Sequence, residues 1–223
     1  MSYTAEELDK LFSSNALERI GMGSRRSCYR LPCGKLCVKC YRSDEEILEG
    51  KYPGKTNSRP LAPAATKEIK SFRFDERHNT CCQEYHYWER LPEDMRHYYP
   101  SSMQMFNTAS RGWCVVEEII ANDDGSPIVK FLQAWKTADR DEQRQLASAL
   151  SALEELFAIH SIRFFDPQTI MVQRTREGLR LRIPDFEPAT RTLIPIDAIF
   201  PMFVRMKMRR RFARYRKTWG IEE

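Results

Sequence analysis

The sequence predicts an α+β chain in two parts: a small β-rich part over residues 1–120 and a mainly helical part over residues 121–223. Three observations lead there. A glycine-bearing β-hairpin pattern runs from Ile20 to Tyr41. A helix with an aromatic face, Thr80 to Leu91, follows a long polar connection. A longer helix with a regular apolar stripe follows Asp139. A chain of 223 residues holds one large domain or two small lobes sharing an interface.

Composition narrows the class. Hydrophobic residues are 42% and charged residues 30% of the chain, a balance that predicts a soluble globular protein rather than a disordered one. No apolar run approaches a membrane span. Met1 to Lys10 is acidic and polar, unlike a secretory signal. The seven cysteines are an odd number without a regular framework, which reads as reduced thiols and a cytoplasmic location. Cys37 and Cys40, with Cys28 and Cys33 nearby, invite a zinc reading. Residues three apart on a strand face opposite sides, however, whereas a metal knuckle needs two cysteines converging around a turn.

Charge is unevenly spread. Between Val204 and Lys217 lie Arg205, Lys207, Arg209, Arg210, Arg211, Arg214, Arg216 and Lys217, with no acid among them. Those eight cations, set against a total of +5, leave the rest of the chain at −3. A mildly acidic body thus ends in a basic helix, with Phe203, Met206, Met208, Phe212 and Tyr215 interleaved. The segment Arg205–Lys217 is a candidate surface for an anionic partner, either RNA or a membrane. A helix packed by its aliphatic side, with its charges solvated, has the same pattern.

The elements follow in order. Ala5 to Phe12 is an amphipathic helix with Leu8, Leu11 and Phe12 on one face. In the hairpin, Gly21 and Gly23 let the backbone approach a ligand closely, because no Cβ intervenes. Successive N–H groups in such a loop can point at one anion. Pro32 to Gly34 turns the chain, and Leu36 to Tyr41 returns with one lysine, Lys39, among apolar residues. An ordinary β-hairpin has this appearance too. Ser43 to Asn79 is a long polar connection. Thr80 and Gln83 suggest a capping box for the next helix. There Glu84, Tyr87, Trp88 and Leu91 share a face. A carboxylate on an aromatic face needs a partner, and Lys39 is the candidate.

Trp113 to Ala121 reads as a strand ending at the Asn122–Gly125 turn. Phe131 to Trp135 begins helical structure. Asp139 and Glu142 suggest a box for the long helix, whose stripe is Leu146, Leu150, Leu153 and Phe157. Beyond it come a loop from His160, a strand Ile170 to Gln173, its hairpin partner Leu179 to Ile183, and Pro184-Asp185-Phe186-Glu187.

The order is glycine loop, strand lysine, helix glutamate, linker strand, long helix, loop and Asp-Phe-Glu. It resembles a reduced, two-lobed protein-kinase-like fold. More narrowly, it is similar to the YrbL family of bacterial proteins, named for the PhoP regulatory network. The residues that carry this are Gly21-Met-Gly23-Ser-Arg-Arg-Ser-Cys28-Tyr29, Cys37-Val-Lys39, Glu84 to Leu91, Val115 to Pro127 and Pro167 to Val172. The resemblance spans about residues 15 to 200.

It implies ATP and magnesium as cofactors. Lys39 would orient the phosphates, Glu84 would hold Lys39, Gly21 and Gly23 would approach the nucleotide, and Glu118 and Ile119 would meet the adenine edge. Asp185 would bind magnesium. Aligned on Pro167 and Ile170, the base position of a kinase loop falls on Phe164 and the second metal-binding asparagine on Thr169. Phenylalanine cannot accept a proton, so Asp166 is the candidate base. The implied functions are a phosphotransferase with an unknown protein or small-molecule acceptor, or a pseudokinase acting as a regulatory binding module. The basic tail offers a third, as a binder of nucleic acid or anionic membrane.

Overall fold

The structure is a computed structural model and describes residues 3–50, 60–162, 167–185 and 201–221. They form an α+β arrangement in two compact units. One comprises Met1–Glu89 and Ser101–Ile119, the other Arg90–Pro100 and Ile120–Glu223. Residues 90–100, expected in the first part, belong to the second unit.

The first unit is built on a five-stranded antiparallel sheet in the order β1-β2-β3-β5-β4. Its strands are β1 (Glu18–Met22), β2 (Arg26–Arg30), β3 (Leu36–Tyr41), β4 (Met103–Thr108) and β5 (Gly112–Glu118). Helix α1 (Ala5–Ser13) precedes it. Thr4 accepts from the Glu7 N–H and the Glu7 carboxylate accepts from the Thr4 N–H, a reciprocal cap that fixes where α1 starts. Leu8 and Phe12 of α1 pack on Tyr29, Leu31, Val38, Cys40, Cys114 and Val116, the residues of one sheet face. Burying each large apolar side chain there contributes about 1.5–3 kcal/mol. Asp9 accepts from the N–H groups of Ala109 and Ser110, at 2.7 and 2.9 Å, and ties α1 to the β4–β5 turn.

Side-chain alternation sends Cys37, Lys39 and Tyr41 to the opposite face. Helix α4 (Thr80–Glu89) covers it. The Tyr41 hydroxyl accepts from the Thr80 N–H at 3.3 Å, and the Cys81 thiol donates to the Lys39 carbonyl at 3.5 Å. The start of α4 differs from the expected Thr80/Gln83 box. Asn79 is the cap: its Oδ1 accepts from the Cys81 N–H at 2.8 Å, and its Nδ2 donates to Arg73 O at 3.0 Å. Gln83 instead donates to the Arg77 carbonyl. Between β3 and α4 the chain forms α2 (Asp44–Leu48), capped by a Ser43/Glu46 box, and α3 (Pro63–Phe72), with proline in its first turn.

The second unit opens with α5 (Glu93–Arg96). It continues through β6 (Val129–Lys130), α6 (Phe131–Thr137), α7 (Arg140–Ile159), β7 (Met171–Thr175), β8 (Gly178–Arg182) and α8 (Pro201–Trp219). β6, β7 and β8 form a small antiparallel sheet. The stripe Leu146, Leu150, Leu153 and Phe157 of α7 is buried. Asp139 caps α7 through the N–H groups of Asp141 and Glu142, but the expected box is half formed, because the Glu142 carboxylate pairs with Arg174. Asn122 docks its turn on β7, its Oδ1 accepting from the Arg174 N–H at 2.7 Å.

Gly112 and Gly34 separate two reasons for a glycine. Both have a left-handed backbone, with φ of 66° and 71°. A Cβ on Gly34 meets nothing within 4 Å, whereas one on Gly112 would stand 2.3 Å from the Arg73 carbonyl oxygen. That oxygen also accepts from the Trp113 N–H at 3.0 Å and from the Asn79 cap. Gly34→Ala should therefore cost about 1–2 kcal/mol of unfolding free energy, and Gly112→Ala about 3–4 kcal/mol. Urea denaturation checks this; equal losses would mean that the Arg73–Gly112 contact is not needed.

Candidate functional site

A lysine in mid-strand needs acceptors if its ammonium is to leave water. In β3, Lys39 is buried to 9% exposure, and Glu84 of α4 is fully buried. The Lys39 ammonium stands 3.3 Å from Glu84 Oε1 and 2.8 Å from Glu117 Oε1. The other Glu84 oxygen pairs with the Arg26 guanidinium. The local structure explains the convergence. β3 and β5 pair Lys39 with Val115, so Glu117 projects two residues along on the same face. Arg26 pairs with Tyr41 across β2 and β3, two residues from Lys39 on that face again. Glu84 lies one helical turn beyond Thr80 and Cys81, the residues seated on β3. Two cations and two carboxylates thus meet in one compact set.

The structure therefore brings Lys39 and Glu84 together and adds Arg26 and Glu117, which the sequence reading did not assign. Arg26 follows Gly23 by three residues, where a Gly-x-Gly-x-x-Gly loop carries its third glycine. Strand alternation from Val115 was the available signal for Glu117.

The glycines behave differently from a loop that offers its N–H groups to an anion. The Gly23 N–H donates to Arg26 O at 2.8 Å and closes its own turn. The Gly23 carbonyl accepts from Arg42 Nε at 3.0 Å and Nη2 at 2.5 Å. Arg42, fully buried, also donates to the carbonyls of Glu46 and Gly50, at 3.1 and 2.7 Å. Gly21 lies beside a bulge in the β1–β2 pairing. A Cβ at Gly21 or Gly23 would meet its nearest neighbour at 3.6 or 3.8 Å, an ordinary contact. Neither has a left-handed backbone. Nothing described in the unit itself requires glycine at either position.

The N–H groups of Glu118 and Ile119 are engaged as well. They donate to Ser102 O at 3.2 Å and to Lys35 O at 2.8 Å. The Glu118 carboxylate accepts from the Ser101 N–H at 2.7 Å.

Cys28 faces Lys39 across β2 and β3. A hydrogen bond with Cys37 holds the Cys28 thiol below its ordinary range, aided by the nearby Lys39 and Arg26 charges, and pushes Cys37 up. Cys40 points the other way into the apolar core beneath α1, where burial raises its pKa well above the ordinary thiol value. Cys37 and Cys40 thus lie on opposite faces. Among the described residues, no group of three or more His, Cys, Asp or Glu side chains is placed to hold a metal ion.

Asp185 lies in the second unit, exposed, three residues after β8. Thr169 ends a short 3-10 turn, Pro167–Thr169. Phe164 and Asp166, the expected base position and the candidate base, lie outside the described residues.

No family model matches the chain, and no curated protein matches it.

Removing one member of a buried ion pair costs about 3–5 kcal/mol, because the partner stays desolvated. Glu84 serves two cations, whereas Lys39 keeps Glu84 when Glu117 is lost. Glu84→Gln should therefore lower the unfolding free energy by about 3–5 kcal/mol, and Glu117→Gln by about 1–2 kcal/mol. Chemical denaturation of both variants tests the order; the reverse order would make Glu117 the principal partner of Lys39.

Proposed function

We propose that the protein is a kinase-like nucleotide-binding protein in which Lys39, held by Glu84, takes the phosphates of ATP. The observation that carries the reading is the buried ion pair between a third-strand lysine and a glutamate of helix α4, which packs on that strand. Protein kinases use this pair to set a lysine against phosphates. The chain shares with them the order glycine hairpin, strand lysine, helix glutamate, linker strand.

The donor set suits phosphate. Lys39 and Arg26 are cations at the margin of the buried site, with side chains 11% and 13% exposed, while Glu84 behind them is sealed off. Glycines 21 and 23, which nothing described around them requires, fit a backbone approached by a ligand. Asp185 would be the carboxylate that holds magnesium, which usually keeps several waters and takes one or two carboxylates plus phosphate oxygens. Bound MgATP would supply a transferable phosphoryl group. Of the chain's own residues, Lys39 orients the phosphates, Glu84 fixes Lys39, and Arg26 holds the other Glu84 oxygen. The backbone at Glu118 and Ile119 would meet the adenine edge through its carbonyls, since both N–H groups are engaged.

The pair Phe164 and Thr169 favours a second reading for catalysis. Neither side chain supplies the base or the metal-binding amide of a kinase loop. Unless Asp166 serves as the base for a protein or small-molecule acceptor, the protein binds nucleotide without transfer and acts as a regulatory module.

A thermal-shift titration tests the binding. At a hundredfold excess over Kd, MgATP should raise the wild-type Tm by about 5–10 °C. Lys39→Met should show no rise above its own ligand-free Tm, and Asp185→Asn should lose the magnesium dependence. An unmoved wild-type Tm, or an undiminished shift in Lys39→Met, would overturn the assignment. ATP consumption by wild type against Asp166→Ala then separates enzyme from pseudokinase.

A further inference from the structure

Helix α8 has two unlike faces. Val204, Met208 and Phe212 are buried. The Phe212 ring lies 6.1 Å from that of Phe157 in α7, and Trp219 stacks on Phe131 at 5.4 Å. Arg205 and Arg216 also bond back to α7. Arg205 donates to the last carbonyl of α7, Ile159 O, at 3.2 Å. Arg216 pairs with Glu154 at 2.5 Å and donates to Ser151 Oγ at 3.1 Å. Gly220, with φ of 65°, ends the helix and returns Ile221 to the core. These contacts fix the rotation of α8.

The outward face then follows from helical spacing. Phe203, Met206, Arg210, Arg214 and Lys217 recur at intervals of three and four residues. All five are exposed, as are Met202, Lys207 and Arg209. Met202 is 82% and Phe203 48% exposed, unusual for large apolar side chains. A groove of about 310 Å³ runs beside them, lined by Phe203, Met206, Lys207, Arg210, Arg211 and Arg214. Among the described residues no helix is long and apolar enough to cross a membrane.

We infer that this face of α8 docks on an anionic lipid membrane, lying along the interface. The Arg and Lys side chains meet the headgroup phosphates, and Met202, Phe203 and Met206 enter the acyl boundary between them. Flexible thioethers with one phenyl ring suit lipid better than RNA, where base stacking calls for several flat rings. Net charge agrees: the rest of the chain is at −3, so attraction to an acidic surface is confined to this helix.

The test uses the full chain and vesicles of phosphatidylcholine, with or without 30 mol% phosphatidylglycerol, in co-sedimentation. Binding should require the anionic lipid and fall at least tenfold between about 50 and 300 mM NaCl. Neutralising three outward cations, as Arg210→Gln/Arg214→Gln/Lys217→Gln, should weaken it roughly a hundredfold, at roughly fivefold per cation. Phe203→Ser/Met206→Ser leaves the charge intact and should weaken it about tenfold. Both variants change exposed side chains, so an unchanged circular dichroism spectrum and melting curve qualifies them. No binding to anionic vesicles would overturn the inference. So would tighter binding to a single-stranded RNA oligonucleotide that ignores Phe203→Ser/Met206→Ser.

Discussion

Two carboxylates and two cations packed under one face of a sheet constrain how the first unit can pair its strands. Each of the four groups gives up several kcal/mol of hydration, about as much as close pairing returns. The set therefore adds little net stability, yet it penalises every arrangement that separates its members. Shifting β3 by one residue would send Lys39 into the apolar layer of Leu8, Phe12 and Val116, and would present Val38 to Glu84. Register in the central strand and the seat of α4 are thus set by charge as well as by hydrophobic pattern.

The supporting contacts have a common purpose. Asn79 fixes where α4 begins, the Tyr41 hydroxyl and Cys81 thiol fix how it sits on β3, and both place Glu84 over the ammonium. Arg42 holds the Gly23 turn from behind through three carbonyls, so the β1–β2 loop is braced by side-chain donors. Glu46 anchors α2 in the same way, accepting from Tyr29 and pairing with Arg111. Although burial alone would raise its pKa, hydrogen bonds from the Tyr29 hydroxyl and the Ser43 N–H, together with the Arg111 charge, outweigh it and hold the carboxyl down at about 2. Arg111 in turn lies over the rings of Phe12 and Tyr29. Polar groups on this side of the sheet are locked to α1 and α2, while those on the other side gather around Lys39.

Much of this was legible in the sequence where one residue broke a pattern. Lys39 interrupts an apolar strand and Glu84 an aromatic helix face, and each needed a partner of opposite charge. Arg26 was hidden because it stands at the third-glycine position of a phosphate-loop pattern, and Glu117 because alternation places it on the Lys39 face only once the β3–β5 register is known. β4 escaped because Met103-Gln-Met-Phe-Asn-Thr108 carries one β-branched residue, at its end. The α4 cap moved by one residue because Asn79 and Thr80 are both good caps, and the bonds from Asn79 to the Arg73 and Trp113 carbonyls chose the first. The stripe of α7 was plain from periodicity alone. The rotation of α8 depended on which cations found inward partners, and that lies in the packing rather than the spacing.

A double-mutant cycle measures the central claim directly, with unfolding free energies for wild type, Lys39→Met, Glu84→Gln and the double variant. A buried pair that organises the unit predicts a coupling energy of at least about 1.5 kcal/mol, with the double variant less destabilised than the sum of the single ones. Additivity within about 0.3–0.5 kcal/mol would contradict it, and would make the Lys39–Glu84 contact a bystander of the fold.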